Sequence, residues 1–479
     1  MPRFPLARNL VVYAIFAASG ASALIYQVLW SRWLSLSFGS TTASVSIVLA
    51  CFMMGLALGS AAAGRLMRRI TNPLRVYAAM EFGIAVFAVF FPLLLSFTDS
   101  IFPLIVSPSS SVFYSLTMRA LLALLLLIAP TSMMGATLPL LAEFFRRNPR
   151  QTTSFKVGVL YAANTLGAAL GILASSFFLI ELVGVFTTTM IAASLNLFVA
   201  AMGYHYSRSA AKMPPPSKEA GRAIANEPAF MVKLATAVLA ASGAVAMASE
   251  VLWTRALETV MGNSAYAFAT IVCVYLVGIA LGSWLMAMVV HRLRRQYPFW
   301  LAALQLTMGA WLLISIVIIQ KISEALLQHN AQMAAITSHL LVYLQVTLVL
   351  MPLSLASGAC FPLAARMIEP DAEDPKGESI GRAYSWNTVG GVIGSLLAGF
   401  LIAPHFDSFD ALYLIALAYG IIALMVLTTT AWRERPARRD RAAWGSMSAL
   451  ILLVIASALY STTNSGEGFS GLRAKWRMK

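Results

Sequence analysis

The chain has 479 residues, of which 59% are hydrophobic and only 11% are charged. This composition lies outside the range of soluble globular proteins and indicates a membrane protein with many crossings. The formal net charge is +15, but the basic residues lie in short segments between apolar runs. The charge therefore follows membrane topology and does not indicate nucleic-acid binding.

Apolar runs of the roughly 20 residues that a bilayer crossing needs follow one another along the chain. The first run resembles a signal peptide, but it is too long and has no convincing cleavage site, so we expect a retained span. The fourth run contains Pro130 and Pro139 and the tenth contains Pro352 and Pro362, which we expect to kink these helices without splitting them. The predicted spans are 9–31, 42–64, 75–97, 113–142, 157–182, 184–206, 231–254, 265–290, 298–320, 337–366, 380–404 and 408–431, with a weaker thirteenth at 443–460.

Alternate loops hold most of the 34 basic residues. Because cytoplasmic loops carry an excess of Lys and Arg, this distribution predicts a cytoplasmic N-terminus in a bacterial inner membrane. Arg32 and Arg255 fall near outer helix ends, where we expect them to reach lipid headgroups or to pair locally, Arg255 with Glu258. A spanning thirteenth run would leave the basic tail, which ends at Lys479, outside.

The sequence repeats itself with a spacing of 223 residues. Gly20 and Gly243 stand at this spacing, and the register still holds at Asn164 and Asn387. Each copy has six predicted spans, and because six is even we expect parallel repeats related by an axis along the membrane normal, as in major facilitator proteins. The predicted organisation is a membrane repeat at 1–206, a Pro-rich cytoplasmic linker at 207–229, a second membrane repeat at 230–431, and a C-terminal part at 432–479.

Glycines four residues apart mark one face of several predicted spans, where small residues let helices approach closely. We interpret them as packing positions, with sliding of these faces during a conformational cycle as the alternative. They are Gly55 and Gly59, Gly278 and Gly282, Gly167 and Gly171, and Gly390 and Gly394.

Polar residues within the spans are candidates for a substrate site, since polar and charged groups are costly in hydrocarbon. An interfacial belt is the alternative for the tryptophans, and hydrogen bonding between helices is the alternative for the asparagines. Carboxylates combined with aromatic faces suit an organic cation. The candidate set is Tyr26, Gln27, Trp30, Glu81, Tyr161, Asn164, Glu250, Trp253, Tyr384 and Asn387.

Two other kinds of site have little support in the sequence. Cys51, Cys273 and Cys360 lie in apolar runs without metal-ligand or CxxC spacing, so we interpret them as core residues and predict no metal and no cofactor. The five histidines are scattered. No serine–histidine pair or phosphate-binding loop accompanies them, and we predict that the chain is not an enzyme.

The segment "SGASALIYQVLWSRWLSLSFGS", its echo "SGAVAMASEVLWTRALETVMGN", and the pair "LYAANTLGAALG" and "AYSWNTVGGVIG" resemble the membrane region of bacterial proteins that fuse a facilitator-like part to a spermidine synthase-like domain. The resemblance covers roughly residues 10–430. It implies a facilitator fold and a link to polyamines. The family has an acid where this chain has Gln27. In the fusions an aminopropyltransferase follows the membrane part, and we expect that this chain lacks it.

Two functions follow from the sequence as expectations. The first is transport or binding of a small solute, with a polyamine or related cation favoured by the resemblance. The second is a non-transporting membrane module that docks a separately encoded aminopropyltransferase.

Overall fold

The computed structural model describes residues 6–38, 42–107, 110–147, 153–210, 229–261, 265–293, 296–329, 335–368, 377–433 and 441–477. Across these ranges every long element is a helix, and no strand occurs among them. The chain is therefore an all-α polytopic membrane protein, as predicted. The helices are α1 (Leu6–Phe38), α2 (Thr42–Leu66), α3 (Pro73–Ile105), α4 (Val112–Arg146), α5 (Thr153–Ala174), α6 (Ile180–Ala210), α7 (Ala229–Met261), α8 (Ala265–Val289), α9 (Tyr297–His329), α10 (Ala335–Ile368), α11 (Gly377–Leu396), α12 (Ser408–Arg433) and α13 (Arg441–Arg477).

Each predicted span lies within one of these helices or its continuation. Twelve helical stretches of the described chain are long and apolar enough to cross a membrane. One of them, Lys156–Arg208, contains two predicted spans, because α5 runs into α6 without a loop. The backbone bends at Gly184, whose φ of 78° is the left-handed conformation that favours glycine. Most of the predicted linker at 207–229 lies outside the described residues.

Prolines do not interrupt the helices that contain them. α4 continues through Pro130 and Pro139, and α10 continues through Pro352 and Pro362. Helices α5 and α11 instead change their turn near their ends. α5 continues through a π-helical segment, Ser175–Leu179, and α11 continues through another, Leu397–Ile402.

One end of the bundle collects basic side chains, and we call it the basic end. The side chain of Arg147, after α4, donates to the backbone oxygens of Ile70 and Thr71 between α2 and α3. Asn72 donates from Nδ2 to the backbone oxygen of Ser207 in the last turn of α6. Arg433, at the end of α12, lies over the ring of Phe230 at the start of α7. The α2–α3 connection and the ends of α4 and α6 therefore lie together.

Helix pairs of the first half have counterparts in the second half. α1 packs on α5, α2 on α4, and α3 on α6, whereas α7 packs on α11, α8 on α10, and α9 on α12. The two halves meet where α2 packs on α11 and α5 packs on α8. The additional helix α13 packs on α12 and α9.

Twelve glycines lie where two helices cross so closely that an added methyl group would overlap the facing helix. They form six pairs separated by 223 residues, and their facing residues are separated by the same 223 positions. The eight glycines predicted as packing positions are among them. The crossings are Gly20–Asn164 and Gly243–Asn387, Gly55–Thr131 and Gly278–Ser354, Gly59–Ser132 and Gly282–Leu355, Gly135–Leu56 and Gly358–Ile279, Gly167–Ala17 and Gly390–Ala240, and Gly171–Ala21 and Gly394–Ala244.

Reciprocal hydrogen bonds join the two halves toward the basic end. Ser60 Oγ on α2 donates to the backbone oxygen of Gly381 on α11 (2.8 Å). Ser283 Oγ on α8 donates to the backbone oxygen of Gly158 on α5 (3.2 Å). Both serines and both glycines are related by 223 positions, so the same contact occurs twice with the halves exchanged.

Candidate functional site

A cavity of about 250 Å³ lies between the two halves. Its walls come from α1, α2, α4 and α5 of the first half and from α7, α8, α10 and α11 of the second. Helices α3, α6, α9 and α12 contribute none of the lining residues. The cavity therefore lies where the two halves could change their contacts.

Six of the ten predicted site residues line this cavity. They come from four helices, and each half contributes three of them. They are Gln27, Tyr161, Asn164, Glu250, Tyr384 and Asn387.

Glu250 is the one charged side chain among the described residues of the lining. Its carboxylate makes no hydrogen bond or ion pair with another described residue. Gln27 stands 223 positions earlier, so the equivalent place in the first half holds an amide. The cavity thus carries a single acid and no base in its described wall, which favours a cationic or hydrogen-bond-donating occupant.

Aromatic rings form part of the cavity wall. Tyr161 stacks on Phe361 with ring centroids 5.0 Å apart, and Phe361 meets Tyr384 edge-on at 6.0 Å. The faces of such rings attract cations. Tyr161 is on α5 and Tyr384 is at the matching position on α11, so both halves supply a tyrosine to one cluster.

Asn164 and Asn387 have two roles in this structure. Each lines the cavity, and the backbone carbonyl of each lies against the glycine at a close helix crossing, Gly20 for the first and Gly243 for the second. The two amides are therefore held at equal positions on α5 and α11.

The other four predicted residues lie outside the cavity lining. Trp30 and Trp253 are 0% and 1% exposed, so an interfacial belt does not describe them, and Trp30 stacks on Tyr26 at 5.0 Å and on Phe91 at 4.7 Å. The sequence did not predict this because neighbouring residues on a helix point about 100° apart. Gln27 faces the cavity, so Tyr26 turns into the first half.

Glu81 is also outside the lining but lies directly behind it. The carboxylate is fully buried on α3. Ser19 Oγ donates to its Oε1 (2.5 Å), and Asn196 Nδ2 donates to its Oε2 (2.5 Å). Ser19 itself lines the cavity. One hydroxyl therefore separates this carboxylate from the cavity.

The second half has an amide at the corresponding place. Gln305 on α9 is fully buried, and its Nε2 donates to Ser242 Oγ (3.2 Å) and to Cys360 Sγ (3.5 Å). Ser242 matches Ser19 at the 223-residue spacing, and both Ser242 and Cys360 line the cavity.

Sequence reasoning missed several polar residues of the wall. Ser19 and Ser242 repeat at the 223-residue spacing, which was a usable signal, whereas Thr137 and Ser357 had none, because small hydroxyl residues are common in membrane helices. Cys360 was interpreted as a core residue, and it is buried while also contributing to the wall.

Two local predictions can be compared with contacts. Arg255 Nη1 donates to the backbone oxygen of Ala403, after the π-helical segment of α11. The side chain of Glu258 lies outside the described residues. Within the described part of the chain, no group of three or more His, Cys, Asp or Glu side chains could hold a metal ion.

Comparison with protein-family models found no match, and comparison with curated proteins found no similar protein.

Proposed function

We propose that the chain is a facilitator-like transporter that moves a small organic cation across a bacterial inner membrane. The observation that carries the proposal is the cavity between the halves, with Glu250 as its single described charge and with aromatic rings beside it. Sites for small molecules usually range upward from about 300 Å³, so a cavity of about 250 Å³ suits a small solute.

The arrangement of small residues supports alternating access. In facilitator-like transporters, two parallel repeats rock against each other around a site near the bilayer centre. Here the α2–α11 and α5–α8 contacts join the halves, and glycine backbones face serine side chains there. Such contacts bury little apolar side-chain surface, so separating them costs less than separating a packed core.

We propose that the basic end faces the cytoplasm, because basic residues concentrate on that side in membrane proteins. The link to polyamines comes from the resemblance to the membrane region of spermidine synthase fusions. A polyamine carries several protonated amines, and one carboxylate with flanking amides and tyrosines would hold one of them.

The first experiment measures uptake of radiolabelled spermidine and putrescine into proteoliposomes that contain the full chain. We expect saturable uptake that Glu250→Gln reduces roughly 30-fold or more at low solute concentration, since losing one partner of a buried charge pair costs about 2 kcal/mol or more. Glu181→Gln removes an exposed carboxylate of α6 and serves as the matched control, with uptake equal to that of wild type.

Two outcomes would contradict the proposal. Equal uptake by wild type and Glu250→Gln would exclude this cavity as the cation site. Absence of flux for any small cation, together with co-purification of a soluble aminopropyltransferase, would favour the docking function.

A further inference from the structure

We propose that Glu81 is a proton-binding site behind the cavity wall and that it exchanges its proton with the cavity through Ser19. This proposal rests on the proposed transport function and adds a coupling ion to it. The sequence grouped Glu81 with substrate ligands, but its position in the structure suits a different ligand.

Geometry gives Glu81 access to the cavity without contact with a solute. The side chain is fully buried, and Ser19, which forms part of the wall, donates to its Oε1 at 2.5 Å. A molecule in the cavity would meet the serine hydroxyl before the carboxylate. A proton can pass along that hydrogen bond, whereas a larger cation cannot.

The surroundings of Glu81 contain polar groups but no positive charge. Asn196 of α6 donates to Oε2 at 2.5 Å, and its Oδ1 accepts from the hydroxyl of Tyr26 on α1 (3.1 Å). Tyr77 of α3 is the other titratable group that faces the carboxylate. From α4 the nearby turn presents Met133. No basic side chain is among the described contacts of Glu81, so an ionised carboxylate depends on hydrogen bonds alone.

Both protonation states can satisfy the same partners. The ionised carboxylate accepts from Ser19 and from Asn196. In the protonated state its O–H donates to Ser19 Oγ, because a hydroxyl can accept as well as donate, and Oε2 still accepts from Asn196. On release the carboxyl O–H bond breaks, its electron pair stays on the carboxylate, and the proton passes by way of the serine hydroxyl to water in the cavity.

The second half provides an internal comparison. Gln305 donates from Nε2 to Ser242 Oγ, which is the geometry that a protonated acid at position 81 would have with Ser19. An amide cannot release this proton. The structure therefore contains one exchangeable position and one fixed copy of its protonated form, which predicts a single proton at this pair of sites.

The first test does not need a substrate. Infrared difference spectra of the purified full-length protein, recorded as the pH is lowered, should contain a carboxylic C=O band that Glu81→Gln removes and Glu81→Asp shifts. Glutamine should fit, because Gln305 makes the corresponding contact. Glu181→Gln should leave the band in place. Titrating carboxyl bands that are the same in wild type and in Glu81→Gln would overturn the proposal.

The second test uses spermidine in proteoliposomes. A pH gradient of about one unit can support up to about tenfold accumulation per coupled proton. We expect such accumulation by wild type and an accumulation ratio near one for Glu81→Gln, with exchange of labelled for unlabelled spermidine retained. Loss of exchange in folded Glu81→Gln would overturn the proposal, since Glu81 would then belong to the solute site.

The two tests separate the proton site from the proposed function. If wild type moves no spermidine, the proposed substrate is wrong and the infrared bands alone decide whether Glu81 binds a proton. If wild type accumulates spermidine under a pH gradient and Glu81→Gln accumulates it equally, the proton site is wrong while transport stands.

Discussion

At the scale of single residues, acids and amides are distributed unequally between two similar halves. The cavity wall has Gln27 on α1 and Glu250 at the matching place on α7, whereas the layer behind it has Glu81 on α3 and Gln305 on α9. Each half thus keeps one acid, and the two acids lie in different layers. This separation lets one carboxylate meet the solute while the other is reached through a serine.

The tryptophans at the same spacing have a structural part. Trp30 and Trp253 are buried, and the indole N–H of each finds no acceptor among the described residues. A buried donor without a partner costs free energy, which the packing of the large ring must exceed. Their contribution therefore comes from volume and ring contacts.

We expect Trp30→Ala to lower the free energy of unfolding in mild detergent by about 3 to 5 kcal/mol, because it removes the stacking on Tyr26 and Phe91 and leaves a cavity. Trp30→Phe should cost less than half as much, since it keeps a ring and removes the unpartnered N–H. Chemical denaturation measures both. Equal losses for the two variants would show that the N–H has an acceptor.

At the scale of helices, close approach depends on glycine at defined positions. Gly59 lies against the backbone of Ser132 on α4, and Gly282 lies against the backbone of Leu355 on α10. Backbone atoms cannot move aside as a flexible side chain can. The sequence predicted these positions well, because four-residue spacing survives any rotation of the helix as a whole.

Adding a methyl group at these crossings should separate the helices. We expect Gly59→Ala to destabilise the protein by about 1 to 3 kcal/mol, the usual cost of overpacking. Gly445→Ala on α13 is the matched control, because no atom lies within 4 Å of the position that its Cβ would take. Thermal unfolding in detergent should separate the two variants. A Gly59→Ala variant as stable as Gly445→Ala would mean that α2 and α4 can part without cost.

The cavity was harder to predict than the helices, for a geometrical reason. Hydropathy and length fix which segments cross the membrane, and these predictions were confirmed. Which side of a helix faces the cavity depends on its rotation, and one residue changes the direction by about 100°. Gln27 was therefore placed in the wall together with Tyr26, its neighbour, although the structure turns Tyr26 toward Asn196. Glu81 was expected at the site from its charge, but α3 stands one layer behind.

At the scale of the whole molecule, the halves meet through small groups toward the basic end. The bonds from Ser60 to Gly381 and from Ser283 to Gly158 join them there. The Cβ of a residue at position 381 would lie 2.9 Å from the backbone oxygen of Ser60 and 3.1 Å from the Cα of Gly64. A side chain at this position must push α2 and α11 apart.

We expect Gly381→Leu to open the cavity at the basic end. Cys360 lines the cavity and reports on this opening once Cys51 and Cys273 have been replaced by alanine. A membrane-impermeant maleimide applied from the side of the basic end should label Cys360 several-fold faster in Gly381→Leu, with Gly445→Leu as the control. Unchanged labelling would mean that this contact does not close the cavity.

The wide turns near the ends of α5 and α11 carry information about history. Ser175–Leu179 and Leu397–Ile402 overlap when one is moved along the chain by the 223-residue spacing. A π-helical turn usually arises from an inserted residue that persists because it is useful. Two independent insertions at one place are less economical than one that was later copied, so the wide turn is older than the doubling of the gene. An ancestor with one half would have had to pair with its own twin to enclose a cavity.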